Sequence, residues 1–312
     1  MNSHTKGELH EHRVLVFRQG NFLAATAAAV GRQPWQVLEA VADGRRKLQV
    51  NGISMYVEEH GSGNPVLLLH GWPDSANLWR LQVPFLVANG FRVLTPDLRG
   101  FGRSDRPADV NAYAVRNSVS DAVALLDAYG VDAAYVVGHD WGAAVAWTIA
   151  ALHPERVRKL VAVSVPHPLS PVTLRQREMA WYQLFFQFSG IAEASLQYND
   201  WALFRELLRD NGDINRYVVE LARENALTAS LNWYRANLAP HAPGPPASLP
   251  PVQAATLGIW STNDHYIDGE RMKMSERFVK GSWRYEQIEG ASHWIPLDAP
   301  ARLNQLISEW LV

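Results

Sequence analysis

The chain has 312 residues, enough for one large domain or two modest ones. At 47% hydrophobic, 10% aromatic and 19% charged it can bury a sizeable core, which excludes intrinsic disorder. Lys+Arg 29 against Asp+Glu 31 gives a charge of −2, so no basic surplus exists to bind nucleic acid, and the lack of Cys excludes disulfides, thiolate nucleophiles and Cys-ligated metals.

Residues 1–43 read as an N-terminal extension with two faintly helical patches, 23–30 and 34–42. The uncharged stretch 22–31 falls well short of the roughly 18 residues that a membrane-spanning helix needs. It lies late, is Ala-rich and follows Glu8 and Glu11, which argues against a secretory signal and for a cytoplasmic protein. His10-Glu11-His12 reads as solvated tail rather than a metal site. Regular structure is expected from about Leu48. Residues 48–50 and 53–57 flank Asn51-Gly52, a hairpin signal because both central positions need positive φ. Residues 66–69, 91–94 and 134–137 are apolar without alternation, as strands buried on both faces are. Residues 118–129 have helical spacing, with Ser118 and Asp121 suited to the helix start and Gly130 to its stop. Residues 142–152 read as an apolar helix ended before Pro154, and 160–165 as the next buried strand.

This alternation predicts an α/β fold with a mostly parallel mixed sheet flanked by helices. From 169 to 238 the chain reads instead as wholly helical, rich in Trp, Tyr, Phe and Leu. Six prolines between Pro240 and Pro251 then make a stiff return linker. Alternation resumes with strands 256–260 and 283–288 and helices near 270–279 and 299–310. The predicted organisation is a core of 44–168 and 252–312, interrupted by a helical cap with its linker at 169–251. Ligands of such sheets bind beyond the carboxyl ends of the strands, so the loops there hold the candidate residues.

Gly138-His139-Asp140-Trp141-Gly142 joins a buried strand to a helix through a turn flanked by glycines. It fits the G-x-S-x-G nucleophile elbow with Asp140 in the serine position. Taken alone, it fits a helix-capping aspartate equally well. Asp264 and His293 each follow a later strand, and the order nucleophile, acid, histidine completes a triad. His139 is expected to point away from Asp140. His70-Gly71-Trp72-Pro73 closes strand 66–69, where backbone N–H groups of Trp72 and Trp141 would form an oxyanion hole.

On these residues the chain resembles the α/β-hydrolase fold family, in particular its epoxide hydrolases, over residues 45–312. The stretch from Asp97-Leu98-Arg99-Gly100 to Arg106-Pro107 resembles the family's loop after the fourth strand and is expected to be structural. Epoxide hydrolases place two cap tyrosines over the nucleophile. Trp181-Tyr182-Gln183-Leu184-Phe185-Phe186-Gln187 resembles the segment carrying the first, and Leu231-Asn232-Trp233-Tyr234-Arg235 the second. Ser189 departs from the family, whose members usually carry proline there. The resemblance implies attack of Asp140 on an apolar or aromatic epoxide assisted by Tyr182 and Tyr234. An Asp140 ester would follow, hydrolysed by water that His293, oriented by Asp264, activates. It implies no cofactor and no metal; the partners are the epoxide and water, with neither nucleic acid nor a membrane span. Oligomeric state is not written in the sequence.

Two other readings are open. Haloalkane dehalogenases share His139-Asp140-Trp141-Gly142, but many carry Asn where Trp72 stands. Fluoroacetate dehalogenases carry arginines one and four positions after the nucleophile, where this chain has Trp141 and Ala144. The third reading is a catalytically silent, ligand-binding homologue, against which the complete triad argues.

Overall fold

The computed structural model describes residues 35–41, 44–209, 211–238 and 248–312. Its centre is built from strands too apolar to face water on either side. Val66 to Leu69, Val136, Val137 and Leu160 to Val163 are all fully buried, as parallel strands covered by helices on both faces must be. Nine strands form one sheet among the described residues: β1 (Trp35–Val41), β2 (Arg45–Val50), β3 (Ile53–Gly61), β4 (Asn64–Leu69), β5 (Phe91–Pro96), β6 (Ala134–His139), β7 (Val157–Val163), β8 (Ala255–Ser261) and β9 (Trp283–Ile288). Their spatial order is β1-β2-β3-β5-β4-β6-β7-β8-β9. The first three strands pair antiparallel with their neighbours and the rest pair parallel. The predicted mixed sheet is thus observed, entered through the predicted hairpin. Val50 pairs with Ile53 across the turn, and Asn51 and Gly52 both take positive φ, 43° and 80°.

One predicted element is corrected. The patch 34–42, expected to be helical, contains β1, paired antiparallel with β2. Without β1, strand β2 would present an open edge of unpaired N–H and C=O groups. That gain comes from a neighbouring strand and leaves no mark on the local helical spacing. The other patch, 23–30, the stretch 22–31 and His10-Glu11-His12 lie outside the described residues.

The helices outside the insertion are α1 (Val83–Ala88), α2 (Val115–Ala128) and α3 (Trp141–Leu152) before it, and three more near the end of the chain. Helix α2 begins three residues earlier than predicted, so Ser118 and Asp121 lie inside it rather than at its cap. Asp121 is buried and takes two hydrogen bonds from the guanidinium of Arg99, at 2.7 and 2.8 Å, and one from Asn51 Nδ2 at 3.0 Å. This buried pair ties the loop after β5 to α2.

Between β7 and β8 lie α4 (Leu174–Met179), α5 (Trp181–Phe185), α6 (Ile191–Leu207), α7 (Ile214–Leu221) and α8 (Ala226–Leu238). The insertion is less continuous than predicted, and α6 leaves helical geometry at Tyr198–Trp201, where Asn199 and Asp200 take φ of 50° and 53°. Arg235 of α8 and Glu193 of α6 form an ion pair at 2.8 Å that joins the two helices. Several contacts fasten the insertion to the loops after the strands. Trp233 Nε1 donates to Arg99 O at 3.0 Å. Tyr266 Oη donates to Leu207 O at 2.5 Å. Arg216 donates to Asp74 at 2.6 Å, and Tyr217 Oη donates to the other oxygen of the same carboxylate. Pro240, Pro243, Pro245 and Pro246 of the return linker lie outside the described residues. After β8 come α9 (Gly269–Met274), α10 (Ile295–Asp298) and α11 (Pro300–Leu311).

Removing one partner of a buried ion pair strands the other. Asp121→Ala is expected to cost about 3–5 kcal/mol of unfolding free energy. Asp127→Ala, which removes the exposed partner of Arg156, is expected to cost under about 1 kcal/mol. Urea unfolding of both variants measures the difference, and equal losses contradict it.

Candidate active site

The site starts from backbone geometry. Between β6 and α3, Asp140 takes φ 52° and ψ −123°, a conformation that side chains rarely adopt and that costs about 1–3 kcal/mol. The turn is tight enough that its flanking positions have no room for a side chain. A Cβ at Gly142 would lie 2.1 Å from Leu69 O, and one at Gly138 would lie 2.3 Å from Gly142 O. Asp140 makes no side-chain cap to α3. Its carboxylate instead reaches toward the loop after β4, where Trp72 N–H donates to Oδ1 at 2.7 Å. Gly71 lets the two approach, since a Cβ there would meet that oxygen at 2.3 Å.

Asp264 and His293 come from the loops after β8 and β9. His293 Nδ1 donates to Asp264 Oδ2 at 2.7 Å, and His293 Nε2 stands 3.4 Å from Asp140 Oδ2. The other oxygen of Asp264 accepts from the N–H groups of Tyr266 and Ile267, at 2.8 and 2.9 Å. Asp264 and His293 are buried. Burial works against charge on His293, but the carboxylates of Asp264 and Asp140 outweigh it and push its pKa up to about 10. Burial alone would raise the Asp140 carboxyl. The facing imidazole and the Trp141 backbone N–H overcome that and hold it below the ordinary carboxylate range.

His139 turns away from Asp140, as expected. Its Nε2 donates to His293 O at 2.9 Å, and Ser164 Oγ donates to the same carbonyl at 2.8 Å. Burial pushes the His139 pKa down to about 4, with the charge of His293 acting in the same direction. His70 is likewise fixed as a neutral ring. Its Nδ1 donates to Gly71 O at 3.0 Å and its Nε2 accepts from Leu98 N–H at 2.9 Å. This orders the turn that presents Trp72 N–H. Asp97, in the loop expected to be structural, accepts from the N–H groups of Ala76 and Arg103, both at 2.8 Å.

Tyr182 comes from α5 and Tyr234 from α8. They are buried, with ring centroids 5.9 Å apart, and line the same cavity as Asp140 and Trp141. Burial raises the pKa of both hydroxyls, and the negative charge of Asp140 raises them further. Both are therefore neutral O–H donors at physiological pH. The cavity measures about 870 Å³, toward the large end of small-molecule sites. Ser189 follows α5 and its N–H donates to Gln187 O at 3.0 Å, so the first tyrosine is positioned without the family's usual proline.

Three neighbours of the site were not read from the sequence. Tyr266 packs edge-on against Tyr182 and His293, at 5.8 and 5.4 Å between centroids. Its place two residues after Asp264 is the signal that could have found it. Gln183 Nε2 reaches Tyr182 Oη at 3.4 Å. Ser230 Oγ accepts from Trp72 Nε1 at 3.1 Å, a contact across the chain that has no local signature. Among the described residues no group of three or more His, Asp or Glu side chains is placed to hold a metal, and no helix is long and apolar enough to cross a membrane.

Comparison with known proteins agrees with this geometry. The sequence pattern of the alpha/beta hydrolase fold family matches residues 64–300. The chain is 35% identical over 280 residues to the AB hydrolase superfamily protein YfhM of Bacillus subtilis (strain 168), covering 85% of this chain and 96% of that protein. It is 32% identical over 320 aligned positions to epoxide hydrolase A of Mycobacterium tuberculosis (strain ATCC 25618 / H37Rv), with the same coverage of each. The crystal structure of epoxide hydrolase A from Mycobacterium thermoresistibile superposes with a TM-score of 0.70 at 29% identity, over 86% of this chain and 97% of that one. With the elbow, the strand order and these relatives in agreement, the chain belongs to the α/β-hydrolase fold family, in its epoxide hydrolase branch.

Proposed function

We propose that the protein hydrolyses an apolar or aromatic epoxide to a vicinal diol through a covalent ester of Asp140. The observation that carries this reading is the pair of neutral buried phenols, Tyr182 and Tyr234, sharing one cavity with an ionised Asp140. In this assignment residues 44–168 and 252–312 are the catalytic core, which β1 extends at its edge, and 169–251 are the cap.

Chemistry explains the pairing. A carboxylate that opens an epoxide releases an alkoxide still tethered to the product. Alkoxide is strongly basic and needs a proton as the C–O bond breaks. Phenols with raised pKa values keep that proton until the alkoxide forms. Oδ1 of Asp140 is held by Trp72 N–H, so Oδ2 is the oxygen that attacks the epoxide carbon. Alkylation removes the charge of Asp140, and His293 then keeps only Asp264 as a negative partner. Its pKa falls, and it gives up a proton as the phenol regains one. Neutral His293 takes a proton from water, and the hydroxide adds to the ester carbonyl. The N–H groups of Trp72 and Trp141 hold the resulting oxyanion, each worth about 3–4 kcal/mol. Collapse of this intermediate expels the diol alkoxide, which takes the second proton of the water, and Asp140 is ionised again.

A dehalogenase needs N–H donors free to hold halide. Here the Trp72 indole N–H is already given to Ser230, which favours the epoxide reading.

His293→Gln removes the base and leaves the nucleophile, so the ester accumulates. Mass spectrometry after mixing with an epoxide should show the protein heavier by the mass of the substrate, while steady turnover falls by roughly 10²–10⁴-fold. A variant that never gains that mass, with any epoxide the wild type turns over, contradicts the mechanism. Replacing Tyr182 and Tyr234 together by Phe should slow epoxide opening by roughly three orders of magnitude or more. Wild-type rates in that double variant remove the phenols from the reaction.

The pH dependence has a definite sign. Asp140, with its depressed pKa, stays ionised into mild acid, so opening persists there. Hydrolysis of the ester needs neutral His293 and is lost as pH falls through a pKa lower than the resting value of about 10. Wild-type protein quenched during turnover should therefore carry more ester at acid than at neutral pH. An ester fraction that grows as pH rises has the wrong sign for His293 as the base.

A further inference from the structure

The cavity is charged in a way that epoxide opening does not require. Among the described residues lining it, Asp140 is the single acid, whereas Arg116, Arg177 and Arg271 all line it. Arg116 and Arg177 are exposed and stand where the cavity meets solvent, while Arg271 is half-buried. The guanidinium of Arg271 donates to two backbone carbonyls, Pro171 O and Ser170 O, each at 3.2 Å. The acid acting on it, Asp268, has its oxygens engaged by the Thr173 hydroxyl at 2.6 Å and Glu270 N–H at 3.2 Å. Burial disfavours the charge of Arg271, and Asp268 restores only part of the loss. None of the three arginines is in an ion pair among the described residues. Buried charge is normally paired, and a guanidinium left with carbonyl partners on a cavity wall retains capacity for an anionic oxygen pair.

We infer that the substrate's apolar body ends in a carboxylate, which Arg271 receives inside the cavity while Arg177 and Arg116 add attraction at the mouth. This rests on the epoxide reading and narrows it. The apolar lining, with Val165, Pro166, Leu184 and Leu249 among it, accepts the body, the phenols and Asp140 take the oxirane, and the volume of about 870 Å³ has room for both ends of one molecule. The charge of the substrate therefore sits at its end away from the oxirane. A second anion beside Asp140 would repel the nucleophile.

The test uses aryl glycidyl ethers ending in a carboxylic acid on tethers of graded length, each paired with its methyl ester. At the fitting length the acid should exceed its ester by roughly tenfold or more in kcat/KM, chiefly through KM, and the advantage should shrink with added salt. Arg271→Gln should bring the acid down toward its ester. Arg177→Gln, at an exposed position that is safe for folding, should reduce the same ratio by a smaller factor. An acid-to-ester ratio at or below one along the whole series overturns the inference, and so does a preference that both variants leave intact. Ester turnover reports separately on the underlying reaction. If the esters are hydrolysed without any preference for the acids, only the carboxylate inference falls. If no epoxide is opened and no mass is added to Asp140, the epoxide reading fails and takes this inference with it.

Discussion

At Asp140 the chain is held in a conformation of φ 52° and ψ −123°, and every other part of the site is placed relative to it. The strain of about 1–3 kcal/mol persists because its surroundings leave no relaxed alternative. β6 is locked between β4 and β7 in parallel register, and α3 packs so closely that Gly142 nearly touches the end of β4. A carboxylate on a relaxed helix start would turn back to cap the helix N–H groups. Here it meets Trp72 N–H, the Trp141 N–H at the very start of α3 and His293 instead. The same strain that costs stability thus keeps the carboxylate available.

Burial sets the charges of the site in opposite directions. Tyr182 and Tyr234 lose water and gain a nearby negative charge, and both effects keep their protons on. His293 loses water as well, yet lies between two carboxylates and holds a proton. His139 and His70, buried with carbonyl or N–H partners instead of carboxylates, are held neutral. Three buried imidazoles within one region therefore differ in charge: burial prevails at His139 and His70, and the two facing carboxylates prevail at His293. In the proposed reaction the ester removes one of the two carboxylates facing His293, so a single covalent step changes the imidazole from proton holder to base.

The parts of the fold that could be read from sequence were those fixed by local chemistry. Fully buried strands announce themselves by unbroken apolar runs, the hairpin by Asn51-Gly52, and the elbow by glycines whose spacing no side chain could replace. The misread parts depend on partners distant in the chain. Asp121 suited a helix start until Arg99 and Asn51 were seen to surround it. The strand Trp35–Val41 exists because β2 offers it an edge. In the site, Asp140, Asp264 and His293 stood out because each follows a strand in the expected order. Tyr182 and Tyr234 were visible only through a family resemblance, since a phenol on a helix is chemically indistinguishable from core packing until its cavity is known.

The contact between Trp72 and Ser230 links two functions that the sequence keeps far apart. Ser230 and Tyr234 are four residues apart on α8, hence on one face of the helix. Ser230 accepts from the Trp72 indole at 3.1 Å, and Tyr234 packs edge-on against the same ring at 5.9 Å. The backbone N–H of Trp72 meanwhile holds Asp140 Oδ1. One tryptophan thus references a phenol of the insertion to the N–H that holds the Asp140 carboxylate. In the proposed reaction, a shift of α8 would move the phenol assigned to epoxide opening and disturb the N–H assigned to ester hydrolysis. The Arg216 and Tyr217 contacts to Asp74, two residues beyond Trp72, brace the same turn from a second helix. In the proposed reaction both half-reactions therefore share one constraint, the seating of the helical insertion on the turn after β4.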